Sequence, residues 1–472
     1  MNRLPWQQGC SLLIMTTLLG GCAGFGPAHT PSALLTPTQL SLADSSGIAP
    51  GQDWWQSLQD PGLNQLIAAA LAHAPSLQLA QDRLQEALAT VGLSQSQLGP
   101  HLDLNALDDR QRYSATGLLP APIGGNFYNS YTLSLNASWE LDFWGKTRAE
   151  NRAALGAMQA AAWEARQARL VLTQAVIGQY TALQRQWQQQ QVIDTRIQLA
   201  GSRIRLIQAR VHAGLLSADT VDQATTGMAQ LQAQSEALSG DIARSRHALA
   251  ALSGQAPSAL DHLQPATLQN TPTLDQARLG ADLLGQRPDI ASQRARVESL
   301  AQSVTAAQAG FYPNVSLSAF VGVNSLFYSQ LFQHDARIVD FQPAFSLPLF
   351  HSGQLQANLH QQQSRYDQAV DSYNQTLLDA LKNTADALTA QQQASAQLTE
   401  ARRAVSASQK AADAMTLRLR AGLVNKLEVL DSLDQAQAQK SVQLDAQANA
   451  RLAWATLNTA LGGGVASAQP PR

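Results

Sequence analysis

Residues that could carry out catalysis or bind a metal are few in this sequence of 472 residues, and they are scattered. The nine histidines, among them His351 and His360, have no cysteine or carboxylate partners at the spacing of a metal site. The motifs of zinc proteases, serine hydrolases, phosphate-binding loops and dinucleotide-binding folds are absent from the sequence. We therefore expect no enzymatic activity, no cofactor and no metal site.

Cys22 is the residue whose neighbours most clearly indicate a chemical modification. Arg3 precedes a short apolar stretch that ends in Leu19-Gly20-Gly21-Cys22. This order is typical of a secretory signal. It also resembles a bacterial lipobox, where the signal is cut before a cysteine that receives lipid. Ala23 stands where an aspartate would favour retention at the inner membrane. The pattern predicts a mature chain that starts at lipidated Cys22 in the outer membrane, and the alternative is an incidental thiol.

The charge composition excludes some classes of partner. The chain has 32 Lys and Arg against 34 Asp and Glu, and only 14% of its residues are charged. Nucleic-acid binding needs a concentrated basic face, which this balance does not provide. Hydrophobic residues make up 45% of the chain, so an extensively disordered protein is not expected. Ala, Gln, Ser and Leu dominate the remainder, and they favour helices.

The body of the chain is duplicated. Pro75-Ser76 and Pro288-Asp289 open two stretches of matching pattern, and the tripeptide Ala213-Gly214-Leu215 returns as Ala421-Gly422-Leu423. Such self-similarity means that the two halves adopt the same structure. Each half reads as helix, strand, loop, strand, long helix, turn and helix, and the first helix is predicted over residues 62–98.

Alternation of apolar and polar residues predicts four strands, at residues 101–115, 127–143, 313–325 and 339–349, the last with a break at Pro343. Their length matches the roughly 9–11 residues of a tilted transmembrane strand. On this interpretation Leu135 faces lipid, whereas Ser134 faces the interior and should tolerate arginine. The alternative is a half-buried strand of a soluble protein.

Four strands cannot close a transmembrane barrel, because the smallest closed barrels have about eight. Lipid cannot satisfy an open sheet edge. The count therefore predicts a ring oligomer that pools strands from several copies.

Two very long helices are predicted, from Lys146 to about His212 and from Gly353 to about Leu419. Each would be about 100 Å long at 1.5 Å per residue. Ala and Gln dominate them in place of a leucine stripe, which suits close packing within a cylinder wall better than a single buried seam. The alternative is a dimeric coiled-coil rod.

Several features together resemble the TolC family of outer-membrane factors, in particular its lipoprotein branch. They are the lipobox, Trp54-Trp55 with Asp60-Pro61, the duplicated unit, the stretch from Leu284 to Ile290 that contains Arg287-Pro288-Asp289, and the paired Ala-Gly-Leu turns. The resemblance implies a mainly α fold with a transmembrane β-barrel. In that fold a duplicated strand-strand-helix-helix unit forms a homotrimer with a 12-stranded barrel and a long α-helical periplasmic tunnel.

The resemblance also implies a domain organisation. Residues 1–21 form the lipoprotein signal peptide, 22–61 the N-terminal segment with part of an equatorial girdle, 62–253 the first repeat, 254–276 an equatorial linker, 277–461 the second repeat and 462–472 the C-terminal tail. The implied function is a passive exit duct for drugs or other small molecules, coupled to a periplasmic adaptor and an inner-membrane transporter. The implied partners are these two proteins, the other copies of the trimer and outer-membrane lipid, and no nucleic acid.

Two sites on the long hairpins are predicted. Ala213-Gly214-Leu215 and Ala421-Gly422-Leu423 are expected to be the periplasmic tips that meet the adaptor, since glycine suits a tight reversal. The alternative is a simple helix cap. Glu428 and Asp431, with Leu427 beside them, are expected to line the closed periplasmic gate as rings of acid. The first copy has Thr220 and Gln223 at the matching offsets, and the alternative is ordinary acids at a helix start.

Other functions for such a chain are an exit duct for secreted proteins (type I secretion) and a pore-less envelope scaffold. The exported substrate, the class of transporter and the gate geometry of the conducting state are not indicated by the sequence.

Overall fold

The structure is a computed structural model that describes residues 30–35, 51–269, 271–272 and 287–464. Cys22, the predicted signal segment and residues 465–472 lie outside the described residues, as does most of the stretch from 270 to 286. The helices are α1 (Pro61–His73), α2 (Pro75–Ser96), α3 (Lys146–His212), α4 (Asp219–Leu252), α5 (Pro288–Ala309), α6 (Gln354–Arg420) and α7 (Lys426–Ala460). The strands are β1 (His101–Arg112), β2 (Phe127–Leu141), β3 (Asn314–Ser325) and β4 (Arg337–Ser346).

The duplication is confirmed element by element. The helices α3 and α6 are each 67 residues long, α2 and α5 are each 22, and α4 and α7 are 34 and 35. Both very long helices lie within a residue or two of their predicted bounds. Among the described residues, no helix combines the length and apolar character that a membrane crossing requires.

The prediction of one helix over residues 62–98 is wrong. Ala74 adopts an extended conformation with a ψ of 123°, and this residue separates α1 from α2. Pro75 is the cause, because its ring disfavours a helical conformation in the residue before it. The same proline then provides the first residue of α2.

The strands form one antiparallel sheet in the order β1-β2-β3-β4, so β1 and β4 are its edges. The predicted break at Pro343 does not occur, since Pro343 lies within β4 opposite Leu317 of β3. Within a single copy β4 is an edge strand, the position at which a sheet accommodates proline. The register also places Leu104, Leu135, Val321 and Val339 in one row across the sheet. Since directly opposite residues share a face, this row makes one face of the sheet mainly apolar, and we call it the apolar face.

The chain forms two compact units, and the described residues of the first are Glu86–Met158, Ala295–Ser372 and residues 30–34. It contains the sheet and a close contact between α3 and α5. A side chain at Gly156 would meet Ser299 at 2.8 to 3.0 Å, so only glycine allows this approach. Ser299 donates its hydroxyl to the carbonyl of Ala153 at 2.6 Å.

The second unit contains the main hydrophobic core. Trp54, Trp55 and Leu58 form a short 3₁₀ turn and are buried with α1 against α3, α4 and α7. The rings of Trp54 and Trp454 lie 5.2 Å apart. Arg287, before Pro288, donates to the carbonyl of Ala460 at 2.7 Å and thus caps the end of α7.

A buried polar cluster lies inside this core. Asp60 is 2% exposed and accepts hydrogen bonds from the Leu63 amide, the Tyr180 hydroxyl and the Gln184 side chain at 3.1, 3.2 and 2.8 Å. Arg451 is 1% exposed, and its Nη2 lies 3.7 Å from Asp60 Oδ2 while its Nη1 donates to Gln184 at 2.9 Å. The cluster joins the residue before α1 to α3 and α7.

The protonation states of this cluster follow from its burial. Burial, with the charge of Asp60 as a second cause, raises the pKa of Tyr180 to about 12, so the phenol stays a neutral donor at physiological pH. Burial also lowers the pKa of Arg451, whereas the nearby Asp60 favours the charged guanidinium. Arg451 therefore depends on Asp60 for charge compensation.

Candidate functional site

The first predicted tip is a tight reversal after α3. Gly214 has a φ of +70°, a conformation that side chains resist. The Leu215 amide donates to the Arg210 carbonyl at 2.8 Å, and the Gly214 amide donates to the Val211 carbonyl at 2.9 Å. This is the Schellman motif that ends many helices.

The second tip repeats this geometry after α6. Gly422 has a φ of +71°, the Leu423 amide donates to the Arg418 carbonyl at 2.9 Å, and the Gly422 amide donates to the Leu419 carbonyl at 3.0 Å. In a Schellman motif the residue after the glycine commonly packs back on its helix. Here Leu215 and Leu423 remain 72% and 74% exposed. Each hairpin therefore presents one leucine to its surroundings.

The start of α7 is capped by Asn425. Its side-chain oxygen accepts from the Leu427 and Glu428 amides at 2.9 and 3.2 Å. The Asn425 amide group in turn contacts the carboxylate of Glu428. Glu428 is thus exposed and takes part in the helix cap. This arrangement fits the alternative that it is an ordinary acid at a helix start. Its place in a pore lining stays a prediction.

Asp431 pairs with Arg203 of α3 at 2.9 Å, and both side chains are half exposed. Arg196 donates two hydrogen bonds to the carboxylate of Asp434, at 2.8 and 3.1 Å, and Arg185 forms an ion pair with Asp445 at 3.0 Å. The hydrogen bond with Asp434 raises the pKa of Arg196. Three ion pairs therefore link α3 to α7, beginning near the tips. These arginines are not among the site residues predicted from the sequence.

A cavity of about 520 Å³ lies among α3, α4 and α7 next to the tips. Leu427, Leu430, Asp431, Thr220 and Gln223 are among its lining residues. Leu427 and Asp431 therefore line the same cavity as Thr220 and Gln223, the matching positions of the first copy. Glu428 is not part of this lining. Acidic residues are not confined to the second copy, because the first turn of α4 contains Asp219 and Asp222.

Within the described ranges, no group of three or more His, Cys, Asp or Glu residues is placed to hold a metal ion. The site consists of two repeated helix reversals, each with an exposed leucine, and a charged contact between α3 and α7.

Comparison with known families decides the identity. The family model described as "Outer membrane efflux protein" matches residues 66–255 and 279–463. The chain belongs to this family. As an outer membrane efflux protein it resides in the cell outer membrane, and the family is one of channels, not of enzymes.

Curated relatives cover most of the efflux protein. The multidrug resistance outer membrane protein MdtP of Escherichia coli O6:H1 is 31% identical over 97% of this chain and 96% of its own length. The multidrug resistance outer membrane protein MdtQ of Escherichia coli O157:H7 is 31% identical over 82% of this chain and 83% of its own length.

Solved structures share the fold of this efflux protein. The outer membrane protein VceC of Vibrio cholerae is similar with a TM-score of 0.80 and 33% identity over 88% of this chain and 99% of its own. The open state of the MtrE outer membrane channel of Neisseria gonorrhoeae is similar with a TM-score of 0.79 and 25% identity. This similarity covers 93% of this chain and 97% of the MtrE chain. The chain therefore has the channel fold with α-helical tunnel and β-barrel, and it serves as an outer-membrane exit duct.

Proposed function

We propose that three copies of this chain form the exit duct of a tripartite efflux pump. The two free edges of its four-stranded sheet support an assembly of several copies, because closure of a barrel requires strands from further copies. Twelve strands from three copies then form the membrane barrel, and α3, α4, α6 and α7 supply the periplasmic tunnel. A lipid on Cys22 provides a second anchor in the same membrane.

The duct is passive, and the pump's energy comes from an inner-membrane transporter that a periplasmic adaptor connects to it. Several curated relatives are named for multidrug resistance, and on this basis the cargo is drugs or other small molecules. The duct itself contributes a route across the membrane, while the transporter selects the cargo.

The adaptor docks on the Ala213-Gly214-Leu215 and Ala421-Gly422-Leu423 tips. The observation that carries this proposal is the repeated Schellman reversal with an exposed leucine in both copies. Each reversal presents small residues around its leucine, so a partner helix hairpin can approach the backbone closely.

Cysteines placed at Leu215 and Leu423 should form crosslinks with the adaptor in cells that carry a working pump. The expected result is a mixed adduct from each position, since both leucines lie on the exposed side of their reversals. The measurement is immunoblotting after treatment with a short crosslinker that joins the introduced thiol to an amine of the adaptor, alongside an assay of drug export.

The control for this crosslinking is Ser239→Cys. Ser239 is exposed on α4, well beyond the first tip, and a cysteine there should give no adduct. Absence of adducts at both tips in an exporting strain would contradict tip docking. Adducts from Ser239→Cys alone would place the contact on the side of the helices instead.

A further inference from the structure

The charges of the sheet are sorted by face. Its strands contain three arginines, Arg110, Arg112 and Arg337, and the register puts all three on the apolar face, opposite Asn129, Phe127 and Val323. Four of the five strand acids lie on the other face, namely Asp103, Asp109, Glu140 and Asp340, and Asp108 is the exception. The apolar face therefore has a surplus of positive charge.

The arginines lie at one end of the sheet. Arg110 and Arg112 are at the end of β1, and Arg337 is the first residue of β4. These strand ends join the hairpin loops, whereas the opposite ends of all four strands connect to helices. Since the helices form the periplasmic tunnel of this channel fold, the arginines lie at the outer border of the apolar band.

The three side chains are exposed and lack an acidic partner. Within the described part of the chain, none of them forms an ion pair, and Arg110 lies over the Phe127 ring at 5.6 Å. A neighbouring copy paired at the sheet edge would leave a net positive charge, because the apolar face of β4 carries no acid and that of β1 only Asp108. A lipid-facing arginine is costly within the hydrocarbon, but its cost falls towards the interface.

We propose that Arg110, Arg112 and Arg337 bind the phosphate groups of anionic lipids in the outer leaflet. A guanidinium holds a phosphate with two parallel hydrogen bonds. The acyl chains of the same lipid lie along the apolar rows below. This inference rests on the membrane position of the sheet and is independent of the adaptor and of the cargo.

The test measures binding of bisphosphorylated lipid A to the purified protein in detergent by native mass spectrometry. The triple variant Arg110→Gln, Arg112→Gln, Arg337→Gln should bind roughly 100-fold more weakly, since each basic residue near an anionic surface contributes about a factor of five.

The matched control removes three arginines from helices. Arg83, Arg205 and Arg365 are exposed there, and their replacement by glutamine should leave lipid binding as in the wild type. A loss in this control as large as in the strand variant would show that only the total charge matters, and it would overturn the proposed site.

Two further probes identify the ligand. Lipid A without its phosphates should bind weakly to every variant, and inorganic phosphate should not compete at millimolar concentration. Wild-type affinity in the triple glutamine variant, equal binding of the dephosphorylated lipid, or competition by inorganic phosphate would each overturn the proposal.

A triple lysine variant covers the case in which the glutamine variant does not assemble. It keeps the charge and should retain binding to within about tenfold, because lysine still binds phosphate as a point charge. If the triple lysine variant folds but loses lipid binding as completely as the triple glutamine variant, the proposed role of charge is overturned. Channel conductance should be unchanged in both variants, so a failure of the duct function is seen separately.

Discussion

Replacing Asp60 with asparagine is expected to lower the free energy of unfolding by about 3–5 kcal/mol, the usual cost of breaking a buried ion pair. The asparagine side chain keeps the shape of the aspartate but removes the charge that compensates Arg451, which is 1% exposed. Its amide group would also face the Gln184 donor, now 2.8 Å from Asp60. The measurement is equilibrium unfolding in guanidinium, followed by the helical circular dichroism signal.

Asp445→Asn is the matched control for this change. Asp445 pairs with Arg185 at 3.0 Å, but both side chains are well exposed, at 44% and 37%. Exposed pairs contribute about 0–1 kcal/mol, so the control should unfold almost as the wild type does. Adding Arg451→Met to Asp60→Asn should recover stability, because the uncompensated charge is then gone. Equal, small losses in the two single variants would contradict the account of a compensated buried pair.

An arginine at Leu104 is expected to destabilise the membrane-inserted sheet by about 2–4 kcal/mol. Leu104 is 69% exposed on the apolar face, opposite Leu135. The neighbouring residue Asn105 is exposed on the other face, so Asn105→Arg should be tolerated. Unfolding of protein reconstituted in vesicles, read from its heat-modified gel mobility, measures both variants.

The expectation that Ser134 tolerates arginine is wrong. Ser134 does lie on the polar face, but it is only 8% exposed and packs closely against Gly322. A large side chain there would be overpacked whatever its charge. Equal damage from Leu104→Arg and Asn105→Arg would show that the two faces of the sheet are assigned wrongly.

The parts of the fold that depend on local pattern could be predicted from the sequence. The bounds of α3 and α6 follow from long proline-free stretches that end at a glycine, and strand alternation placed all four strands to within a few residues. The predictions from local pattern were wrong at two prolines, where the effect of the proline and the apolar periodicity point to different structures. Pro75 divides a stretch of unbroken helical periodicity, and Pro343 lies within β4, which is an edge strand within a single copy.

The partners of the site residues could not be predicted, because they are distant in sequence. Nothing near Asp431 indicates Arg203, although Arg196 and Arg203 are seven residues apart and so share a helix face. The buried cluster is similar. Asp60 before Pro61 is a recognisable helix start, but its contact with Arg451 exists only once α3 and α7 are packed together.

The most direct test of the central claim is the single-channel current of the purified protein in planar lipid bilayers. An exit duct should give discrete, cation-preferring currents. Their cation preference should fall when Glu428 and Asp431 are both replaced by alanine, because rings of acid attract cations. Loss of Asp431 also leaves Arg203 unpaired, which shifts the local charge in the same direction. Asp445→Ala, further along α7, should leave the preference unchanged. Unaltered selectivity in the double variant would contradict the acidic lining, and a correctly inserted trimer that carries no discrete current would contradict the duct itself.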